Sequence, residues 1–133
     1  MKDGKLTGQR LFNYLNFTMP TITVYGIPNC DTIKKTLDWY KKKNIQVEFH
    51  DYKKSGITKA KLAQWSKEVG WQLLLNKKST TWRSLPLDEQ QKVTNEKMAL
   101  QLMIEYPTII KRPVIEMNNK IIVGYNEQYF SKQ

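Results

Sequence analysis

The chain has a single cysteine and a single histidine among its 133 residues. One cysteine excludes an intramolecular disulfide. The pair also falls short of the ligand set of a conventional Cys/His zinc site. No apolar run approaches the ~20 residues that a membrane-spanning helix needs. Five prolines and six glycines are too few for a low-complexity or collagen-like chain. Arginine is scarce as well, with Arg10, Arg83 and Arg112 standing against 19 lysines. These absences lead us to expect one compact domain in a reducing, soluble compartment, most simply the cytoplasm.

What is present is a real core and a strong positive charge. Apolar residues make up 40% of the chain, and the formal net charge is +10. Between positions 34 and 78, 12 lysines face four acids. Scattered lysines without arginine forks are a poor instrument for reading bases, so nucleic acid is not the expected partner. A solvated surface is the plain reading of this face.

Residues 1–18 stand apart from the periodic body. They lack the apolar h-region of a secretory signal and read as an N-terminal extension, a candidate for disorder, ahead of a domain over 19–133. Thr21 to Tyr25 is β-branched and bounded by Gly26 and Pro28, which predicts a strand. Ile33, Leu37 and Tyr40 have helical spacing, and Lys41 to Lys43 suit the negative end of that helix. Ile45 to Phe49 alternates with period two, predicting a second strand. Strand, helix, strand at this spacing is a βαβ unit with parallel strands.

Thr58 is then a plausible N-cap for a helix carrying Leu62, Trp65 and Val69, with Gly70 at its end. Trp71 to Leu75 reads as a short apolar turn and Ser79 to Arg83 as a loop. Leu85 to Asp88 opens another helical stretch, and Asn95 to Glu105 is a further helix. Val114 to Met117 and Ile121 to Gly124 flank a tight turn and predict a hairpin. Glu127 to Phe130 is a candidate last turn of helix. The order β-α-β, helical insert, β-β is that of an α/β, thioredoxin-like fold with a mixed sheet and an insertion between strands two and three.

Cys30 sits where the first strand turns into the first helix. Unpaired helix N–H groups and the helix dipole favour a thiolate there. Lys34 and Lys35 add to the effect, and Asp31 opposes it if its carboxylate points at the sulfur. The plain alternative is a small buried hydrophobe, but Gly-Ile-Pro-Asn-Cys is a polar turn and a poor core site. Ile33 occupies the position of a second cysteine, so a CxxC cycle is excluded and any redox chemistry is monothiol. His50 is more simply a structural histidine than the partner of Cys30 in a dyad.

Two further stretches are informative. An X-Pro bond just before a strand, here Arg112-Pro113, is where thioredoxin-like folds place a cis-proline beside the helix-one cysteine. Arg112 is then within reach to hold the thiolate or an anionic substrate. In Lys77 to Arg83, hydroxyls, an indole and two kinds of cation either bind a small anion or form a polar loop with Trp82 packed inward.

Tyr25 to Lys35, Phe49-His50-Asp51-Tyr52, Gly70-Trp71 with Leu74-Leu75-Asn76, Thr80 to Arg83 and Ile110 to Pro113 together resemble the arsenate reductase (ArsC)/Spx family, and within it the YffB-like branch. The resemblance covers about residues 20–130. It implies a nucleophilic Cys30 and an Arg112 that stabilises the thiolate or a bound oxyanion. The departures are specific. Cys30-Asp31-Thr32-Ile33 stands where glutaredoxin-coupled arsenate reductases have Cys-Gly-Thr-Ser. Asn76 follows Leu74-Leu75 where they have an arginine, and Gly124-Tyr125-Asn126 lacks another. An arsenate trianion would meet one strong fork instead of three. The CxxC switch of Spx regulators is missing too.

The expectation is therefore a monothiol oxidoreductase with no bound cofactor or metal and glutathione as co-substrate. Cys30 and Arg112 are its catalytic residues. Asn29, Asp31, Thr32, Lys77, Thr81, Trp82, Arg83 and Pro113 line its substrate site. Arsenate reduction is the weaker enzymatic variant, and an Spx-like protein docking on RNA polymerase is the alternative of another class.

Overall fold

The computed structural model describes residues 21–118, 120–126 and 130. The expected N-terminal extension and residues 127–129 of the expected last helical turn lie outside them. Strand β1 (Ile22–Gly26) leads into helix α1 (Asp31–Lys42), then strand β2 (Glu48–Asp51). The insert follows as α2 (Tyr52–Ser55), α3 (Lys59–Val69), α4 (Trp71–Leu74), α5 (Thr80–Ser84), α6 (Leu87–Gln91) and α7 (Glu96–Glu105). A 3-10 turn (Pro107–Ile109) precedes β3 (Val114–Met117) and β4 (Lys120–Val123). The sheet order is β2-β1-β3-β4. β1 pairs with β2 in parallel and with β3 antiparallel, and β3 pairs with β4 antiparallel. This is the thioredoxin-like layout expected, with the insert in its expected place.

Alternation along the central strands builds two apolar layers. Val24 and Ile115 face one side of the sheet and meet Ile33 and Tyr40 of α1, with Phe130. Tyr25 and Val114 face the other side and meet Leu62 and Trp65 of α3, Met103 of α7 and Ile109. Ile33, Leu62, Trp65 and Met103 are essentially inaccessible to water. Burying each side chain of this kind contributes ~1.5–3 kcal/mol.

Local sequence sets the ends of the elements. Thr58 Oγ1 accepts from Lys61 N at 3.2 Å and starts α3. Gly70, with φ of +87°, ends it in the left-handed region that side chains disfavour. At the end of β1, Gly26 lets α1 come close. A Cβ there would run into the Ile33 side chain.

Three elements differ from the sequence-based expectation. β2 starts at Glu48 and not Ile45, because Asn44 adopts φ of +57° after α1, and Ile45 is left exposed. Ser79 to Arg83 is not a loop. Ser79 Oγ accepts from Trp82 N at 3.1 Å and caps the short helix α5. The third is α2, a helical turn at Tyr52–Ser55 where the sequence predicts no element, whereas Trp71 to Leu74 is the short turn expected there. Among the described residues, no helix is long and apolar enough to cross a membrane.

Candidate thiol site

Cys30 occupies the N-cap position of α1, with extended backbone angles of −142° and 126°. Its sulfur forms no full capping hydrogen bond, although the Thr32 and Ile33 N–H groups are near enough to act on its charge. Serine, threonine, aspartate or asparagine is the usual choice at such a position, so the sulfur stands where a cap oxygen normally would. It is partly exposed. Sγ lies 3.1 Å from Thr32 Oγ1, and with a thiolate the hydroxyl is the donor.

Four contributions bear on the charge of this sulfur besides burial. Burial is the largest single effect and raises the pKa. The Thr32 hydroxyl, the Ile33 N–H, the Arg112 charge and the Thr32 N–H all lower it, and together they prevail. The thiol is therefore more acidic than an ordinary cysteine. Asp31 and Asn29 are exposed at the helix entrance.

Arg112 lies just before the sheet, and the Arg112-Pro113 bond is cis. One guanidinium nitrogen, Nη1, donates to the Thr108 carbonyl at 2.9 Å. The Thr108 hydroxyl sits 2.6 Å from that of Thr81. Thr81, at the start of α5, is thus linked to Arg112 through one residue. The sequence singled out Thr81 and Arg112 but not Thr108. Its only signal was a hydroxyl four residues before the arginine, between two prolines.

The remaining expected site residues separate. Trp82 is 7% exposed and belongs to the core, with the Lys77 ammonium 5.5 Å from its ring centroid. Arg83 is exposed in the last turn of α5. His50 Nε2 donates to the Gly56 carbonyl at 2.7 Å, and its ring rests on Tyr25 at 4.8 Å. That is the structural role expected of it.

An arginine-assisted thiol at a helix N-terminus, beside a cis-proline on a thioredoxin-like sheet, defines a protein of the thiol-redox class. The comparisons with known proteins make the assignment specific: the sequence profile of the ArsC family matches residues 25–132, and the chain belongs to that family. It is 47% identical over 110 residues to an uncharacterized protein of Haemophilus influenzae, covering 82% of this chain and 95% of that one. It is 29% identical to the regulatory protein MgsR of Bacillus subtilis, covering 79% and 83%. The solved YFFB protein superposes with a TM-score of 0.78 at 38% identity, covering 84% of this chain and 97% of the other. An arsenate reductase-related protein from Brucella melitensis gives 0.68 at 41% identity, covering 83% and 94%.

Among the described residues, Arg112 is the one formal charge that acts on the thiol in this geometry. In Arg112→Gln the thiol pKa should therefore rise, and alkylation by iodoacetamide at pH 7 should slow several-fold. Thr32→Val should act in the same direction. Rate against pH for the three proteins checks both.

Proposed function

We propose that the protein is a monothiol oxidoreductase that works with glutathione. The Cys30 thiolate attacks one sulfur of a disulfide. A Cys30–sulfur bond forms, the old S–S bond breaks, and its second sulfur leaves as a thiolate. A glutathione thiolate then attacks the mixed disulfide and releases Cys30 as a thiolate again. That step leaves the substrate sulfur joined to glutathione, and a second glutathione thiolate displaces it, so the substrate disulfide is reduced by two electrons and two glutathione thiols become one glutathione disulfide.

The observation that carries this reading is the acidified Cys30 at the helix N-cap, beside the Arg112 charge and with no second cysteine in the chain. Arg112 and Thr32 hold the thiolate, and the cis-Pro113 segment borders the incoming disulfide. Among the described residues Arg112 is the one arginine that acts on the thiol, which makes arsenate the weaker substrate. Intact-mass measurement after exposure to oxidised glutathione tests the reading. The expected result is one added glutathionyl group, removed again by excess glutathione. An unmodified chain at pH 8 would sink the proposal.

A second reading has its own support. MgsR and the Spx protein of Streptococcus agalactiae, the latter 27% identical, are named as regulators. A docking module on RNA polymerase would use the lysine-rich face between 34 and 78 and leave Cys30 idle. Lysine-to-glutamate changes on that face would abolish such a function, and Cys30→Ser would not.

A further inference from the structure

We propose that a groove lined by Trp71, Leu75, Asn76, Lys77, Lys78 and Lys111 binds the carboxylates of glutathione; this rests on the monothiol reading above. The groove encloses about 600 Å3, within the range that takes up a small molecule. Leu75 is buried and Trp71 half-buried, which gives an apolar floor. Three lysines line it, and among the described residues no acid does. Among the described residues, none of the three lysines pairs with an acid. Asn76 Oδ1 accepts from Lys78 N at 3.1 Å, which leaves the Asn76 amide nitrogen to donate.

A site of cations and donors selects a ligand rich in acceptors and negative charge. A small inorganic anion would fill little of the volume and leave the apolar floor bare. A short peptide thiol with a carboxylate near each end fits both features.

The groove is tied to the segment that carries Arg112 through Lys111. Lys111 directly precedes Arg112, and its methylenes lie against Gly124, where a Cβ would meet Cε at 3.4 Å. Gly124 N donates to the Pro113 carbonyl at 2.7 Å, and the next residue, Tyr125, packs in the same apolar cluster as Cys30. The loop holding Lys77 and Lys78 is fixed to this segment by Asn76 N to the Ile109 carbonyl and Lys111 N to the Leu74 carbonyl, both 2.8 Å.

The test compares two disulfides reacting with Cys30: oxidised glutathione, which is anionic, and bis(2-hydroxyethyl) disulfide, which is uncharged. In the Lys77→Gln/Lys78→Gln/Lys111→Gln protein, the rate with oxidised glutathione should fall about tenfold, as expected for losing several exposed ion pairs. The rate with the uncharged disulfide should stay within twofold. A control protein, Lys53→Gln/Lys59→Gln/Lys67→Gln, loses the same charge elsewhere and should keep both rates. Equal slowing with both disulfides, or equal slowing in the control, would overturn the groove and leave the thiol reading standing. S-methylglutathione, which cannot react, supplies an independent arm. Its NMR titration should shift the amides of Asn76 and Lys111 in the wild-type protein and not in the groove variant. If Cys30 reacts with neither disulfide, the monothiol reading fails and this titration alone decides the groove. Absence of these shifts in the wild-type protein overturns it.

Discussion

A Cys30→Ser protein is expected to lose all glutathionylation while becoming more stable. The loss is total because the chain has no other sulfur that forms a disulfide. The gain in stability follows from the cap. Cys30 gives the start of α1 no full capping hydrogen bond, only the weak pull of a sulfur on the Thr32 and Ile33 N–H groups. Serine is among the preferred N-cap residues, and its oxygen accepts from the second or third N–H of the helix. The expected gain is about 0.5–1 kcal/mol, or a few degrees in melting temperature for a domain of this size. Intact mass with oxidised glutathione and a thermal melt on one preparation check both. Loss of stability on substitution would mean that the sulfur is held by packing, as a core residue, and not as an exposed nucleophile.

Glu116→Ala is expected to cost about 2–4 kcal/mol, from leaving several donors in poor water contact. The Glu116 carboxylate on β3 accepts from three residues on two other elements at once. Tyr25 Oη on β1 reaches it at 3.1 Å, Trp65 Nε1 on α3 at 3.1 Å, and Lys61 Nζ on α3 at 3.1 and 3.2 Å. Its side chain is only 18% exposed. Burial raises its pKa, but the hydrogen bonds from Trp65 and Lys61, the Lys61 charge and the Tyr25 hydroxyl outweigh this, so the pKa lies below the usual carboxylate value. The depressed folded pKa fixes the sign of the pH dependence. The contribution is fully present above the ordinary carboxylate range and fades as pH falls through the folded pKa. Urea denaturation of wild-type and Glu116→Gln proteins should therefore differ most near neutral pH and converge in acid. A difference that stays constant from pH 7 to pH 3 would show that the carboxylate's charge has no part in the network.

The same network shows what the sequence does and does not reveal. The central strands, α1, α3 and α7 are legible because their apolar residues repeat at periods that only strand or helix satisfies. Cys30 and Arg112 are legible because each is rare and each stands at a punctuated turn. β2 is misplaced by three residues at its start because it is an edge strand. Its Glu48, His50 and Asp51 carry no apolar signal, while the apolar Ile45 before it is exposed. α5 is hidden because five residues are too few to show a period, although Ser79 is a serviceable cap. Thr108 and Glu116 escape for a different reason. Their roles are made by partners 27 and 51 to 91 residues away, and no local pattern encodes such contacts. Glu116 did leave one clue, an acid in the otherwise apolar run Val-Ile-Glu-Met.

The anchoring of Arg112 has a consequence for how the domain is put together. The guanidinium leans on Thr108, Thr108 meets Thr81 of the insert, and Leu75 bridges to Ile110 on the same segment. The helical insert is thus not a detachable module laid on a self-sufficient scaffold. A shortened chain that kept both halves of the sheet and α1 would retain the sulfur at its helix end but lose the brace that aims the positive charge at it. Chemistry and architecture are joined through this one side chain, so grafting the turn around Cys30 onto a bare thioredoxin frame would transfer the nucleophile without the part of its acidity that Arg112 supplies.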